Sequence, residues 1–240
     1  MKQVILITGG TSGIGQSLAE AFIARGAAVA ICGRSEAALE TFSRAHPEAL
    51  AIRADVTVAA DRAAMLDAVA AKFGRVDVLI NNAGTFVERD FTSKDDATVG
   101  LEQEVALNLT APIQLTGELL LRWPAPTSIV FVTSGFALVS PTRAPTYGAV
   151  KAGQHAFANA LRRQLAPKGT HVLELLPSLT DTPMNSHVTG QKKMSPEQVA
   201  AATIEALARR KPMALPGPSK WIPTLLRVAP NATDRMVGKL

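Results

Sequence analysis

Residues 4–15 read VILITGGTSGIG, an apolar run that passes directly into a glycine-rich turn. The run at 4–8 is continuously apolar up to Thr8, which is typical of a strand buried on both faces of a sheet. Helical spacing of apolar residues over 14–25, ended by Gly26, predicts a helix directly after the turn. The glycines let a ligand approach the backbone, and a helix N-terminus attracts phosphate. The unit therefore predicts a pyrophosphate-binding turn; the alternative is a glycine-rich turn that binds nothing.

The alternation of apolar runs and helical segments continues to residue 215. The further predicted strands are 28–32, 50–53, 76–80, 128–133, 171–176 and 213–215. The further predicted helices are 36–44, with Ser35 as its N-cap, 59–73, 97–121, 146–165 and 196–209. Strands separated by helices of this length are joined by right-handed crossovers and lie parallel. The sequence therefore predicts an α/β fold: a doubly wound, mostly parallel sheet of about seven strands (a Rossmann fold) with helices on both faces.

The composition is that of a well-packed globular protein, with 47% hydrophobic and 19% charged residues. Neither a linker nor an internal repeat divides the chain, so we predict a single dinucleotide-binding domain over residues 1–240. The segment 212–240 differs, because prolines divide it into turns and short helices with one apolar side. We expect this segment to pack on the domain or on a partner subunit; the alternative is a segment that lies on a membrane surface.

Charge and cysteine content argue against several classes of function. The formal net charge is +5, but the basic residues are scattered rather than clustered, which argues against nucleic-acid binding. A single cysteine, Cys32, excludes an intrachain disulfide and a cysteine-based metal site, and we predict no bound metal. No apolar stretch approaches the ~20 residues of a membrane span, and the run at 4–7 is too short for a signal peptide. We therefore expect a cytoplasmic protein.

Tyr147 is the only tyrosine, and Lys151 lies four residues later on the same face of a predicted helix. The ordinary pKa of a tyrosine is about 10, which is too high for a proton shuttle near neutrality. A neighbouring ammonium favours the phenolate and lowers that pKa toward the value that general acid–base catalysis requires. Ser134 follows a buried strand at the end where ligands bind in parallel sheets, so its hydroxyl is placed to bond a carbonyl oxygen. A Tyr-x-x-x-Lys pair alone also occurs as a structural helix pair.

Four motifs come in order: the Gly-x-x-x-Gly-x-Gly turn at 9–15, the run Asn-Asn-Ala-Gly at 81–84, Ser134, and Tyr147-x-x-x-Lys151. Together they resemble the short-chain dehydrogenase/reductase family, in its short single-domain branch, over about residues 4–185. The resemblance implies an NAD(P)(H)-dependent oxidoreductase that moves a hydride between nicotinamide and a carbonyl or alcohol, with Tyr147 as general acid and base. It also implies that Lys151 bonds the nicotinamide ribose hydroxyls.

The resemblance gives Asn108 a role as well, although the residue stands in an apolar helical stretch. In the family this asparagine kinks its helix and holds a water that links the lysine to solvent. The alternative is a buried amide whose hydrogen bonds are satisfied within the protein. The candidate catalytic residues are Asn108, Ser134, Tyr147 and Lys151.

The residue that ends the second strand meets the adenosine ribose in such folds, and a carboxylate there repels a 2′-phosphate. Here Gly33 and Arg34 occupy that place, and a guanidinium suits a phosphate, so we predict NADP(H) rather than NAD(H). The alternative is that Arg34 is a plain surface charge. Ser12 stands where the family often has a second basic residue. The candidate cofactor-binding residues are Gly9, Thr11, Ser12, Gly13, Ile14, Gly15, Gly33, Arg34, Asp55, Val56, Asn82, Ala83, Gly84, Tyr147, Lys151, Pro177 and Thr182.

Within this set, Asp55 has a second interpretation, as a carboxylate that caps the next helix. Thr182 falls where the family's threonine meets the nicotinamide amide. The sequence departs from the family at Ser178, which replaces a usual glycine, and at Val150, where serine or threonine often precedes the lysine.

The substrate pocket is expected in segments 85–87, 135–143 and 179–189, which offer mainly apolar side chains and so predict an apolar aldehyde, ketone or alcohol. These side chains are Phe86, Phe136, Leu138, Val139 and Met184. Arg143 and His187 are candidates to bind a polar end of the substrate, or are surface residues. The resemblance implies a homodimer or homotetramer formed through the helices at 97–121 and 146–165.

Two other functions remain open at this point. A dinucleotide-sensing regulatory protein would use the same fold without chemistry, but such a protein is expected to lose the tyrosine or the lysine. An epimerase or dehydratase with bound NAD(H) is disfavoured, because the family's longer members have another glycine spacing and a larger substrate domain.

Overall fold

The computed structural model describes residues 2–239 and has a seven-stranded sheet at its centre. The strands are β1 Val4–Thr8, β2 Ala28–Gly33, β3 Leu50–Arg53, β4 Val78–Asn81, β5 Ser128–Val132, β6 His171–Leu175 and β7 Met213–Ala214. Their order is β3-β2-β1-β4-β5-β6-β7, and every neighbouring pair is parallel. The order reverses between β1 and β4, which opens a crevice at the carboxyl ends of the strands. The predicted doubly wound fold is confirmed.

Helices cover both faces of the sheet. They are α1 Gly13–Ile23, α2 Glu36–Ala45, α3 Ala59–Phe73, α4 Leu101–Val105, α5 Ala111–Arg122, α6 Pro145–Leu165, α7 Pro196–Ala208, α8 Ile222–Val228 and α9 Pro230–Val237. One core lies between the sheet and α3, α5 and α6, and the other lies between the sheet and α1, α2 and α7. In β1, Leu6 belongs to the first core and Ile5 and Ile7 to the second, because successive side chains of a strand point to opposite faces. The continuous apolar run in the sequence therefore reflects burial on both sides.

The helix predicted at 97–121 is shorter and less regular than expected. It begins at Leu101, because the Asp96 carboxylate accepts hydrogen bonds from the backbone and hydroxyl of Thr98, at 2.8 and 2.6 Å, and holds a turn there. Between α4 and α5 the chain forms a π-helical segment, Ala106–Thr110, which contains Asn108. A π segment inside an α-helix is rare and is often found at functional sites.

The segment after β7 folds against the carboxyl ends of β5 and β6. It comprises a 3₁₀ turn, Gly217–Trp221, followed by α8 and α9. Ser219 is buried, and its hydroxyl donates to the carbonyl oxygen of Leu176 at 2.8 Å. Ile222 lies so close to Gly135 that a Cβ there would be 2.8 Å from Ile222 Cδ1. Within residues 2–239, no helix is both long enough and apolar enough to span a bilayer.

Candidate active site

A cleft of about 840 Å³ lies at the carboxyl ends of β1, β2, β4, β5 and β6. The four candidate catalytic residues Asn108, Ser134, Tyr147 and Lys151 all line it. So do all the candidate cofactor residues except Gly15. The fold therefore brings into one cavity residues that are far apart in the sequence, from Gly9 to Thr182.

The glycine turn is shaped by contacts that leave no room for side chains. Gly9 and Gly13 have φ angles of 65° and 52°, in the left-handed region that favours glycine. A Cβ at Gly15 would overlap the carbonyl oxygen of Gly9 and the side-chain amide of Asn82. The Asn82 amide donates to the carbonyl oxygens of Thr8 and Gly9 at 2.9 and 3.1 Å and so braces the turn. Gly15 is thus needed beneath the cleft, where helix and turn meet, although it does not line the cavity.

The start of α1 is open toward the cleft. The Ser12 side chain makes no capping hydrogen bond, so it does not satisfy the first backbone N–H groups of the helix. Those groups and the helix dipole favour an anion at this point. A Cβ at Gly13 would lie 2.9 Å from the methyl group of Thr182. The turn and the 177–182 loop therefore meet closely at the cleft.

At the end of β2, the Arg34 side chain is 75% exposed, and its Nη1 lies 3.9 Å from the Asp55 carboxylate. Burial opposes ionisation of Asp55, but hydrogen bonds from Thr57 and attraction to Arg34 outweigh it and lower the Asp55 pKa. The Asp55 carboxylate accepts from the Thr57 backbone N–H at 2.9 Å and forms a turn ahead of α3, whose N-cap is Val58. Asp55 therefore stabilises the turn just before α3 and does not cap the helix itself. Its contact with Arg34 is long and holds that side chain only loosely.

Tyr147 and Lys151 project from one face of α6 into the cleft, and both are buried. The Lys151 Nζ lies 5.6 Å from the centroid of the Tyr147 ring. It donates to the carbonyl oxygen of Val132 and to the Gln154 side-chain oxygen, both at 3.0 Å. The Ser134 hydroxyl is near enough to the Tyr147 phenol to lower its pKa. The phenol, the hydroxyl and the ammonium therefore share one wall of the cleft.

The ionisation of this group differs from the expectation that the lysine makes the phenol acidic. Burial raises the Tyr147 pKa to about 12; the Ser134 hydroxyl lowers it in part, and the Glu104 carboxylate raises it further. Burial lowers the Lys151 pKa to about 8, against an attraction to Glu174 that raises it. Residue spacing indicates the nearby ammonium but not the desolvation of both groups. With the protein's own groups alone, Tyr147 keeps its proton at neutral pH.

Asn108 is fully buried in the π-helical segment, and its side chain is occupied by one partner. Its Oδ1 accepts from the Thr85 backbone N–H at 3.0 Å, and its Nδ2 donates to the Thr85 carbonyl oxygen at 2.9 Å. A Cβ at Gly84 would lie 2.7 Å from Asn108 Oδ1 and 3.7 Å from Lys151 Nζ. The amide therefore ties the loop after β4 to the helix beside Lys151, which matches the alternative of a satisfied buried amide.

The substrate end of the cleft is mainly apolar. Of the side chains expected there, Phe86, Phe136 and Met184 line the cavity, whereas Leu138 and Val139 do not. Leu138 and Val139 come directly after the 3₁₀ turn Gly135–Ala137, and Val139 is buried in the protein instead.

Arg143 lines the cavity and His187 does not. Both lie beside the Glu88 carboxylate: Arg143 pairs with it, and His187 Nε2 is 3.9 Å away. The two candidates for binding a polar end of the substrate are therefore already engaged with a carboxylate at the mouth.

The C-terminal segment, expected to pack on the domain or on a partner subunit, also lines the cleft, which the sequence did not predict. Its residues in the cavity wall are Pro218, Ser219, Trp221, Ile222, Leu225, Met236 and Val237. Ser178, the residue that departs from the family pattern, anchors this segment: its hydroxyl accepts from the Ser219 N–H at 2.8 Å and donates to the Pro216 carbonyl oxygen at 2.9 Å. The apolar side of the segment indicated packing, and the departure at Ser178 was the signal that could have indicated where.

Comparison with known proteins agrees with this geometry. The model of the family described as short chain dehydrogenase matches residues 3–193. An uncharacterized oxidoreductase of Bacillus subtilis, DltE, is 36% identical over 187 residues, covering 77% of this chain and 74% of the relative. The chain belongs to the short-chain dehydrogenase family. It is therefore an oxidoreductase, and its segment after residue 193 lies outside the stretch that the family model matches.

Solved structures of other proteins share this fold along most of the chain. A short-chain dehydrogenase from Streptomyces avermitilis has a TM-score of 0.85 at 28% identity, covering 97% of this chain and 95% of that chain. One from Sphingobium yanoikuyae, in complex with NADPH, has a TM-score of 0.82 at 28% identity, covering 96% and 94%. The 3-ketoacyl-(acyl-carrier-protein) reductase from Brucella melitensis, complexed with NADH, has a TM-score of 0.81 at 27% identity, covering 89% and 95%.

Proposed function

We propose that this protein is an NADP(H)-dependent oxidoreductase that transfers a hydride between the nicotinamide and a carbonyl or alcohol substrate, with Tyr147 as general acid and base. The observation that carries the proposal is the meeting of Ser134, Tyr147 and Lys151 on one wall of a cleft whose far end is the glycine turn. Hydride transfer needs a dinucleotide and a proton source side by side, and these two parts of the cleft offer them.

The residues present fit a dinucleotide. The uncapped start of α1 and the glycine turn would hold the pyrophosphate, because a side chain at Gly9 or Gly13 would be strained and would crowd it. The exposed Arg34 guanidinium would pair with a 2′-phosphate, and Gly33 brings no carboxylate to repel it. Lys151 would bond the nicotinamide ribose, and Thr182 the nicotinamide amide. When bound, the nicotinamide supplies or accepts the hydride.

The chain's own residues then handle the proton and the substrate oxygen. Ser134 holds the carbonyl oxygen in line with the Tyr147 hydroxyl, and Tyr147 gives its proton to that oxygen as the alcohol forms. A Tyr147 pKa raised by burial to about 12 keeps the phenol protonated at neutral pH, so the proton is in place before the reaction. The ammonium of Lys151 favours the phenolate that remains and so acts to lower this pKa toward the range that proton transfer requires.

The walls of the cleft favour an apolar substrate. Phe86, Phe136, Met184, Ile222 and Leu225 line it together, and Arg143 at the mouth is already paired with Glu88. Burying a carbonyl compound against these side chains removes apolar surface from water. An aldehyde or ketone that carries an alkyl or ring substituent is the substrate class that we propose.

Subunit association and cellular location stay predictions. The expected pairing of subunits through α5 and α6 rests on the resemblance to the family. We propose that the cleft binds a small-molecule substrate and that the protein does not bind nucleic acid.

The test is an NADPH-consumption screen over a panel of aldehydes and ketones, with Tyr147→Phe as the matched variant. Phenylalanine keeps the ring but removes the proton, so we expect turnover to fall by roughly 10²–10⁴-fold while NADPH affinity, measured by calorimetry, is retained. Turnover like that of the unchanged protein would refute the role of Tyr147. NADPH binding without consumption on any compound would favour the dinucleotide-sensing protein instead.

A further inference from the structure

A second polar cluster lies behind the proposed active site, on the side of α6 that packs against β6. Lys151, His155 and Asn159 follow one another at intervals of four residues and so form a stripe along one face of the helix. Opposite this stripe stands Glu174 of β6, which is fully buried. A carboxylate in the middle of a central strand is costly unless hydrogen bonds or opposite charges compensate it.

Glu174 is held firmly in place. Its Oε1 accepts from the Thr133 hydroxyl at 2.8 Å, and its Oε2 lies 2.7 Å from His155 Nδ1. Thr133 follows Val132, whose carbonyl oxygen accepts from Lys151 Nζ, and precedes Ser134. The carboxylate is thus attached to the same short piece of chain that holds the ammonium and the serine.

The hydrogen bonds also orient the His155 ring. Arg162 Nη1 donates to Asn159 Oδ1 at 2.6 Å, which orients the amide so that its Nδ2 faces His155 Nε2 at 2.9 Å. Because an amide nitrogen only donates, Nε2 is the acceptor there, and Nδ1 donates to Glu174. The carboxylate is therefore held by a ring whose other nitrogen is fixed by the same helix.

Lys151 is the buried cation that lacks a direct partner of opposite charge. Its two acceptors, Val132 and Gln154, are neutral, and no ion pair of Lys151 is seen in the part of the chain that the structure describes. Burial lowers the Lys151 pKa to about 8, and the attraction of Glu174 is the influence that opposes this fall. The two charges are thus complementary although they do not touch.

We propose that Glu174 is the buried counter-charge of Lys151, a positioning residue that keeps the ammonium of the proposed active site charged from behind the sheet. The proposal rests on the proposed function for its effect on turnover, but the coupling of the two charges is a property of the protein itself. Thr133 and His155 hold the carboxylate at a fixed position, so its field acts on Lys151 without a direct contact that would draw the ammonium away from the cleft.

Other charged groups near these residues are few. On α6, Tyr147 stands one turn before Lys151 and His155 one turn after it. Further along α6, burial lowers the Arg162 pKa, against an attraction to Glu174 that raises it. On α4, the Glu104 carboxylate acts on Tyr147, whose pKa it raises. The groups that reach Lys151 from β5 are neutral.

The first experiment measures the pH dependence of kcat for NADPH-dependent carbonyl reduction. In Glu174→Gln the ammonium loses its counter-charge. We therefore expect the fall of kcat at alkaline pH (the alkaline limb) to begin about one pH unit or more lower than in the unchanged protein. Glu174→Asp keeps the charge and should leave the limb near its original position. Glu118→Gln is the matched control, since it removes the carboxylate partner of another buried cation, Arg62, and should not move the limb. An unmoved limb in Glu174→Gln would overturn the proposal.

The second experiment needs neither cofactor nor substrate. Urea unfolding midpoints are measured at pH 7 for the unchanged protein, Glu174→Gln, Lys151→Met and the double variant. Loss of Glu174 should lower the midpoint clearly when Lys151 is present and much less when methionine replaces it, so the effects of the two changes should not add. If Glu174→Gln does not fold, folding of Glu174→Asp, which keeps the charge, supports the proposal, and its failure to fold overturns it. Additive effects of the two changes on the midpoint overturn the proposal even if the protein has no reductase activity.

Discussion

The ring of Phe86 meets the ring of Tyr147 edge-on, with centroids 4.8 Å apart and planes inclined at 71°. The guanidinium of Arg143 lies over the Phe86 ring, 5.0 Å from its centroid, and pairs with Glu88 at the mouth of the cleft. A continuous line of contacts therefore runs from the exposed rim to the proposed proton donor. The orientation of the phenol depends on a side chain that has no chemical role of its own.

Replacing Phe86 tests that dependence. An edge-to-face aromatic pair contributes about 0.5–1.5 kcal/mol beyond burial, so we expect Phe86→Ala to lower kcat by roughly 3- to 10-fold through a less well-oriented Tyr147. The kcat of Phe86→Leu, which keeps most of the side-chain volume, should lie between that of Phe86→Ala and that of the unchanged protein. Phe157→Leu is the control, because Phe157 packs edge-on against Phe131 in the core, 5.6 Å between centroids. An unchanged kcat in Phe86→Ala would show that Tyr147 is positioned by other contacts.

The choice between the two nicotinamide cofactors is tested at Arg34. The Arg34 guanidinium is exposed, and its Nη1 is as far as 3.9 Å from the Asp55 carboxylate. It can therefore turn toward a 2′-phosphate. We expect Arg34→Ala to reduce the ratio of kcat/KM for NADPH to that for NADH by about tenfold or more, with little change in NADH use alone. Arg53→Ala, an exposed arginine at the end of β3, serves as the control. A ratio that does not change would remove the argument for NADP(H).

The glycine turn makes a steric prediction. A methyl group at Gly15 would overlap the Gly9 carbonyl oxygen and the Asn82 amide, so Gly15→Ala must displace backbone. We expect a loss of about 1–3 kcal/mol in the free energy of unfolding together with loss of NADPH binding, measured by urea unfolding and calorimetry. At Gly117, on α5, a Cβ meets nothing within 4 Å, so Gly117→Ala should be neutral or stabilising by up to about 1 kcal/mol. Equal stability of the two variants would contradict the close approach at Gly15.

Lys151 predicts an unusual dependence of stability on pH. Its pKa is about 8 in the folded protein, against an ordinary value of 10.5. Below pH 8 both the folded and the unfolded chain hold the proton; between pH 8 and 10.5 only the unfolded chain does, so this group makes stability rise with pH in that window. Lys151→Met should therefore be more stable than the unchanged protein at pH 7, by about 1–3 kcal/mol, with the difference vanishing above pH 10.5.

The measurement for Lys151→Met is urea unfolding at several pH values between 6 and 11, about one unit apart. Lys168→Met, at an exposed position, is the control and should show no such trend. A Lys151→Met protein that is less stable than its parent at neutral pH would mean that the ammonium is satisfied well enough to stabilise the fold.

Much of the fold could be predicted because its signals are local. The apolar runs of β1 and β5 are buried on both faces. A short apolar run between turn signals is typical of a buried strand, and no helix among the described residues could span a membrane. The meeting of Ser134 with Tyr147 was predictable for a related reason, since one follows a buried strand and the other stands on the first turn of the next long helix. Both positions follow from element type and spacing alone.

What could not be predicted depends on contacts between distant residues. The helix expected from residue 97 begins later, because the side chain of Asp96 competes for the local backbone. The Tyr147 pKa depends on how completely the phenol is desolvated, which spacing does not reveal. The role of Glu174 was missed entirely, because a lone acid in an apolar strand has no partner until β6 and α6 are placed side by side.

Because Ser178 ties the C-terminal segment to the mouth of the cleft, the proposed substrate pocket is built from two stretches of the chain. Phe86, Phe136 and Met184 lie within the stretch shared with the family, as do the proposed proton donor and the glycine turn, whereas Ile222 and Leu225 lie beyond it. Changes in the last twenty-odd positions would therefore reshape one wall of the pocket without touching the residues proposed for proton transfer. Close relatives that share the first two hundred residues need not share a substrate.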